Sequence, residues 1–190
     1  MDATVLLVMD VQRGIVERFA DDPGYLTLLS GAVAAARGAG VPVIYVTIDF
    51  RPGYPEVSAR NRSFSAIASS GRFTVGDPAT AVHPAVAPQP GDLAVTKRRV
   101  SAFTGSDLDV VLRAGEVDSL VLTGIATSGV VLSTLRQAAD LDYRLTVLAD
   151  ACLDADPEVH RVLTEKLFPR QADVLAIADW TASLARPAAG

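Results

Sequence analysis

Three polar side chains in this sequence follow short apolar runs that are typical of buried strands. They are Asp10 after residues 4–9, Asp49 after residues 41–48, and Lys97 after residues 93–96. Because the carboxyl ends of parallel strands meet at one edge of a sheet, we expect these side chains to lie near one another. A carboxylate and an ammonium in one apolar pocket shift each other's proton affinity, which is how acid–base pairs are made.

Each of these residues also has a simpler interpretation. Asp10 could cap a helix or stand in a loop, and Asp49 could lie at the surface or at the rim of a pocket. Lys97 is followed by Arg98 and Arg99, as at a solvated basic edge. Residue type and position therefore leave both interpretations open.

The segment 120–133 has the pattern of a buried strand, a sharp glycine-containing turn and the first turn of a helix. Gly124 follows the apolar strand, and apolar residues recur at helical spacing after Gly129. Such a turn presents several backbone N–H groups to one point, which suits the binding of a carboxylate or an oxyanion. The apparent nucleophile position holds Val130 rather than Ser, Cys or His.

Strands alternate with helices along the whole chain. The predicted strands are residues 4–9, 41–48, 93–96, 120–123, 144–148 and 174–177. The predicted helices are residues 24–40, 63–70 and 107–114, one from Thr127 or Ser128 to about residue 141, and one that begins at Asp156-Pro157. This order predicts an α/β protein with a three-layer α/β/α Rossmann-like fold, in which helices cover both faces of a six-stranded, mainly parallel sheet. We expect a single domain of residues 1–190, with a pocket wall in the proline-rich stretch 50–92 and a frayed tail at 187–190.

Composition excludes several classes of function. Of 190 residues, 49% are hydrophobic and 21% are charged, and the net charge is −5. This acidic balance gives no basic footprint for nucleic acid or for an anionic membrane. The start of the chain lacks the pattern of a signal peptide, and no apolar run reaches the roughly 18 residues of a membrane span. With Cys152 as the only cysteine, we expect a cytoplasmic protein without an internal disulfide.

Three motifs together resemble the isochorismatase-like (cysteine hydrolase) superfamily. They are Asp10-Val-Gln12, Lys97-x-x-x-Ser101-Ala102-Phe103, and Gly124-Ile-Ala-Thr127-x-x-Val130-Val131-x-x-Thr134. The match in order and spacing extends from about residue 4 to residue 180, and residues 50–55 resemble the loop after the second strand of many members. Each motif is weak alone, but the three in this order on this fold are specific.

The resemblance implies a role for each matching residue. Asp10 and Lys97 would be catalytic, and the family's nucleophilic cysteine would fall on Val130, which leaves the catalytic triad degenerate. A cis peptide is expected between Ile125 and Ala126, with the N–H groups of Ala126 and Val130 forming an oxyanion hole. Further residues are expected around the oxyanion or the substrate: Gln12, Phe50, Ile125 and Thr127.

No other side chain evidently replaces the nucleophile or provides a metal site. Valine has no lone pair to attack with, and Cys152 is better interpreted as a buried structural thiol. Ser128 and Ser133 point elsewhere on the predicted helix and lack an evident base. His83 and His160, the latter expected at the surface, are too few and too scattered for zinc. We therefore expect no metal and no cofactor.

The resemblance makes a hydrolase without a covalent intermediate the first expectation. The resemblance implies that isochorismatases also lack a cysteine at this position. In those enzymes the aspartate protonates the enol carbon of a vinyl ether, water captures the resulting oxocarbenium ion, and pyruvate is released. Asp10 would suit that step if an apolar pocket raised its pKa, although Val130 is bulkier than the glycine of those enzymes. The alternatives are a C–N amidohydrolase that uses directly activated water, and a non-catalytic binding or assembly module.

The expected partners are a small-molecule substrate and further copies of the chain. The helix after the fourth strand carries Leu132, Leu135 and Ala139 beside Val131, so apolar residues lie on more than one of its sides. Together with the resemblance, this pattern predicts a homo-oligomer, either a dimer or a tetramer.

Overall fold

Short runs rich in valine, leucine and isoleucine form the six strands of one sheet, as seen in a computed structural model that describes residues 3–19 and 23–185. The strands are β1 Ala3–Met9, β2 Val43–Ile48, β3 Leu93–Lys97, β4 Val117–Ile125, β5 Arg144–Leu153 and β6 Asp173–Leu175. Their order in the sheet is β3-β2-β1-β4-β5-β6, and every neighbouring pair is parallel. The predicted six-stranded sheet is therefore confirmed, and it is parallel throughout.

Helices cover both faces of this sheet. They are α1 Arg13–Val16, α2 Pro23–Gly38, α3 Arg62–Ser70, α4 Leu108–Ala114, α5 Leu132–Asp140, α6 Pro157–Val162 and α7 Ile177–Leu184. Alternate residues of β1 point to opposite faces: Leu7 packs in the core cluster that contains Leu112 of α4 and Leu135 of α5. Leu6 packs in the cluster that contains Leu29 of α2 and Trp180 of α7. The three-layer α/β/α prediction is confirmed.

Several predicted boundaries need correction. Strand β4 continues past Gly124 to Ile125, and β5 continues to Leu153, so Cys152 lies inside a strand rather than after it. The sixth strand is shorter than predicted, because Ile177 begins α7 and its N–H donates to Asp150 at 2.8 Å. The predicted tail at 187–190 lies outside the described residues.

Apolar residues between positions 50 and 79 form a separate cluster at the carboxyl edge of the sheet. Phe50, Phe64, Phe73 and Ala79 pack there with Ile48. Asn61 caps α3 through its side chain, and short turns of 3-10 helix follow at Pro78–Thr80 and Pro84–Val86. This cluster supplies the pocket wall that the proline-rich stretch predicts.

The strand order reverses between β1 and β4, which is where open parallel sheets hold their ligands. Gly124 allows the two strands to approach: a Cβ atom on it would lie 2.1 Å from the Met9 carbonyl oxygen, and its φ is 138°. None of the described helices is long and apolar enough to cross a membrane.

Candidate active site

Asp10 and Lys97 form a buried ion pair at the carboxyl edge of the sheet. Asp10 directly follows β1, Lys97 ends β3, and the Lys97 Nζ atom lies 2.9 Å from Oδ2 of Asp10. Nζ also donates to the Arg99 carbonyl at 3.1 Å. The pair confirms that two of the three polar strand-end residues meet. Asp49, the third, pairs with Arg98 at 3.1 Å instead.

The two carboxylate oxygens of Asp10 have different surroundings. Oδ2 contacts Lys97, whereas Oδ1 is buried and has no hydrogen-bond partner among the described residues. Burial raises the pKa of Asp10 above its ordinary value, and the nearby Lys97 ammonium opposes that rise. An unpartnered buried oxygen is uncommon and is suited to accept a hydrogen bond or a proton from a ligand.

The turn after β4 provides the second part of the site. The peptide bond between Ile125 and Ala126 is cis, where the family resemblance places one. The Ala126 carbonyl accepts from the N–H groups of Gly129 and Val131 at 3.0 and 3.3 Å. Gly129 has φ −97° and ψ −105°, outside helical values, so the turn is kinked at this residue. The kink lies immediately before Val130.

The pair and the turn border one pocket of about 170 Å³. Its polar lining residues are Asp10, Lys97 and Arg18. Its remaining lining residues are Ile15, Ile48, Phe64, Ile67, Phe73, Val100, Ala126, Gly129 and Val130. Typical pockets for drug-sized ligands measure about 300–1,000 Å³, so this pocket suits a smaller molecule.

A larger groove of about 730 Å³ lies at the opposite edge, along the amino ends of β4 and β5. Ser119, Arg144 and Asp173 border it, but no buried acid–base pair is found there among the described residues. We place the candidate site at the smaller pocket because, of these two pockets, it is the one in which the described residues join a buried carboxylate to the strand-order reversal.

Four residues predicted at the oxyanion or substrate do not line this pocket. Gln12 is fully buried, and its amide bonds both the N–H and the carbonyl of Ile48 as well as the Thr80 carbonyl. This corrects the prediction that Gln12 binds substrate, because these backbone groups occupy both ends of its side chain. Phe50 is enclosed in the apolar cluster, and Ile125 packs in the core on the α2 face.

The Thr127 side chain is also directed away from the pocket. It is fully buried, and its hydroxyl lies 2.8 Å from Nδ1 of His160. Burial lowers the pKa of His160, so a neutral ring can accept the Thr127 hydrogen. His160, predicted at the surface, instead holds the turn in place, together with Asp154, which accepts from the Ser128 N–H at 2.6 Å.

Sequence reasoning missed Arg18 and most of the apolar wall. Phe64 and Ile67 face the pocket from α3, where a spacing of three residues puts them on one helix face. That spacing is a usable signal, although it does not tell which cavity the face borders. Nothing in the type of Arg18 distinguishes it from the other surface arginines.

The remaining candidate groups lie outside the pocket. Cys152 is buried in β5 beside the Leu122 carbonyl, and burial raises the pKa of its thiol to about 12, so it is a core residue. Arg51 pairs with Glu56 at 2.6 Å. Within residues 3–19 and 23–185, no group of three or more His, Cys, Asp or Glu side chains could hold a metal ion.

Comparison with known proteins agrees with this fold. The Isochorismatase domain model matches residues 4–179. The ureidoacrylate amidohydrolase RutB of Methylobacterium radiotolerans is 34% identical, over 91% of this chain and 77% of that protein. An isochorismatase family protein from Burkholderia thailandensis superposes with a TM-score of 0.82 at 30% identity, over 97% of this chain and 96% of that one.

One more similar structure is that of a protein named as an amidase. The N-carbamoylsarcosine amidase of Thermoplasma acidophilum superposes with a TM-score of 0.73 at 28% identity, over 93% of this chain and 97% of that chain. The domain match, the sequence relatives and the superpositions all point to one group of hydrolases. The chain belongs to the isochorismatase family.

Proposed function

We propose that this hydrolase cleaves a C–N bond in a small amide or ureide by direct attack of water, without a covalent intermediate. The observation that carries the proposal is the unpartnered Oδ1 of Asp10, buried in a pocket whose turn presents Val130. A valine side chain cannot form a thioester, so the attacking group has to come from solvent. The carboxylate is the group in the pocket that can activate it.

In this mechanism Asp10 takes one proton from a bound water. The resulting hydroxide adds to the carbonyl carbon, the N–H groups of Ala126 and Val130 stabilise the oxyanion, and the proton passes to the leaving nitrogen. One water is consumed: an amide gives an amine or ammonia and a carboxylic acid, and a ureide gives an amine or ammonia and a carbamic acid, which loses carbon dioxide to release the second nitrogen. Lys97 keeps Asp10 ionised, because an adjacent positive charge favours the carboxylate over the acid.

The named relatives support the same class of bond. One is an amidohydrolase and another is an amidase, and both names describe cleavage of a C–N bond. The small pocket volume also favours a compact substrate.

Hydrolysis of a vinyl ether is the second candidate. The raised pKa of Asp10 favours it, because a carboxyl that keeps its proton can act as a general acid on an enol carbon. Val130 narrows the pocket, which argues for a substrate smaller than isochorismate.

The deciding assay measures ammonia from ureidoacrylate and N-carbamoyl amino acids, and pyruvate from isochorismate. Asp10→Asn is expected to lower the rate about 10²–10⁴-fold. Asp49→Asn is the matched control, since Asp49 follows β2 as Asp10 follows β1 but lies outside the pocket. Pyruvate without ammonia would favour the vinyl ether reaction. If neither product forms, a non-catalytic binding module is the better interpretation. If Asp10→Asn leaves a measurable rate unchanged, Asp10 is not the group that activates water, and this mechanism is overturned.

Self-association into a dimer or tetramer also stays a proposal. Leu132 and Ala139 of α5 pack against the chain's own core, so they do not support it. Val110 of α4 and Leu141 after α5 are exposed apolar side chains, and a second copy could cover them. A monomer mass in light scattering would contradict this proposal.

A further inference from the structure

Arg18 is the unpaired cation of the pocket. Asp10 and Lys97 lie 2.9 Å apart and cancel each other's charge. Arg18 lines the same pocket, is exposed, and forms no ion pair or hydrogen bond with any described residue. The pocket therefore carries a net positive charge, and that charge lies at its solvent-facing side.

The segment that carries Arg18 is anchored at its start. Arg18 lies three residues after Ile15, and both line the pocket from α1 and the 3-10 turn Glu17–Phe19. The buried Gln12 amide ties the start of this segment to Ile48 and Thr80. Gly14 packs so closely that a Cβ atom on it would lie 2.6 Å from the Ala79 Cβ.

The pocket thus has two polar regions separated by apolar walls. The buried region holds the acid–base pair, and the exposed region holds one guanidinium. A guanidinium presents paired N–H donors that match the two oxygens of a carboxylate. A cleft of one sign with apolar walls also concentrates ligands of the opposite sign.

We propose that Arg18 binds a carboxylate on the substrate and thereby selects small anionic amides or ureides over neutral ones. The inference rests on the proposed function for the identity of the cleaved bond. The recognition of a carboxylate depends only on the pocket. The substrate places its carboxylate at Arg18 and its carbonyl at Asp10 and the turn, with a short apolar segment between them along Phe64 and Phe73.

Binding of two matched probes tests this assignment without any turnover. The probes are 4-oxopentanoate and its neutral methyl ester, which share a ketone and contain no C–N bond. Ligand-observed NMR titration at low ionic strength would compare the native protein with Arg18→Gln. Arg13→Gln is the matched control, because Arg13 is an exposed arginine of the same segment that does not line the pocket.

The native protein and Arg13→Gln are expected to bind 4-oxopentanoate about tenfold more tightly than the ester, and Arg18→Gln is expected to lose that preference. The assignment is overturned if the native protein binds both probes equally or neither, or if Arg18→Gln keeps the preference. Ammonia assays report separately on the proposed function. A charge preference without any C–N hydrolysis would remove that function and leave the carboxylate site intact.

Discussion

The Lys97 ammonium lies 2.9 Å from Oδ2 of Asp10, although β2 lies between the strands that these residues terminate. The ion pair therefore spans the end of a neighbouring strand and joins β1 to β3. The two side chains are only 2% and 10% exposed, so removal of one charge leaves the other with little of its normal hydration. Stability and reactivity consequently depend on the same pair.

Lys97→Met is expected to destabilise the protein by about 3–5 kcal/mol at neutral pH, because it leaves the Asp10 carboxylate buried and unpaired. Burial already raises the pKa of Asp10, and loss of Lys97 raises it further. An aspartate in the unfolded chain has a pKa of about 3.9. Between that pH and the raised pKa of Asp10, the folded variant therefore binds one proton more than the unfolded chain. The loss of stability should therefore shrink as the pH falls through the raised pKa.

Urea unfolding at neutral and acidic pH measures this effect. Lys166→Met is the matched control, since Lys166 is exposed and its removal should change stability by less than about 0.5 kcal/mol. A Lys97→Met deficit that is equal at both pH values would contradict the account of Asp10.

The pH dependence of kcat/KM distinguishes the two candidate reactions. If Asp10 activates water as a base, the rate falls on the acidic side as Asp10 gains its proton. If Asp10 donates a proton to a vinyl ether, the rate falls on the alkaline side instead. Because the pKa of Asp10 is raised, the fall in kcat/KM should in either case have its midpoint at a higher pH than the pKa of a solvated aspartate.

Val130→Cys is expected to create the accessible thiol that the native pocket lacks. Lys97 lines the same pocket, and a nearby cation lowers a thiol's pKa. Iodoacetamide should therefore add one adduct to the variant near pH 8. The native protein is the control: its single thiol, Cys152, is buried with a pKa of about 12 and should remain unmodified until the chain unfolds. Rapid labelling of folded native protein would show that the thiol is accessible.

Gln12→Leu is expected to cost about 2–4 kcal/mol of unfolding free energy. The substitution leaves the N–H and carbonyl of Ile48 without the amide partner they have at 2.9 and 3.0 Å, and buried groups without partners are costly. Gln89→Leu is the surface control, since Gln89 is exposed. A thermal melt that is the same for both variants would argue against this structural role.

Gly124→Ala is expected to destabilise the sheet by about 3 kcal/mol or more, because the added Cβ would lie 2.1 Å from the Met9 carbonyl oxygen at a φ of 138°. Gly31→Ala provides the comparison. Gly31 lies in α2 with open space around it, so that change should stabilise the protein by about 0.5–1 kcal/mol. Chemical denaturation of both variants measures the contrast.

The sequence was sufficient to predict the sheet because its strands are buried on both faces and appear as continuous apolar runs. The ends of the strands were not predicted correctly where pairing with distant strands determines them. Gly124 is typical of a turn, yet it remains in β4 because it pairs with Met9 on one side and Cys152 on the other. Such cross-strand pairs are not visible in local spacing.

The site was predictable to the extent that strand ends determine it. Asp10 and Lys97 follow strands, and the strand order brings them together. The role of Gln12 could not be predicted in this way, because the backbone groups that bond its side-chain amide lie 36 and 68 residues away in the sequence. Phe73 and Arg18 belong to the pocket for the same reason: long-range packing of loop segments, rather than residue type, places them there.

The strand order also divides the polypeptide at the pocket. The first half of the chain supplies β3, β2 and β1 with Asp10 and Lys97, and the second half supplies β4, β5 and β6 with the turn at Val130. Neither half alone contains both the ion pair and the turn that border the pocket. A partly folded chain in which β1 and β4 are not yet paired therefore cannot hold substrate. For two fragments divided between β3 and α4, ligand binding would be a direct signal of complementation.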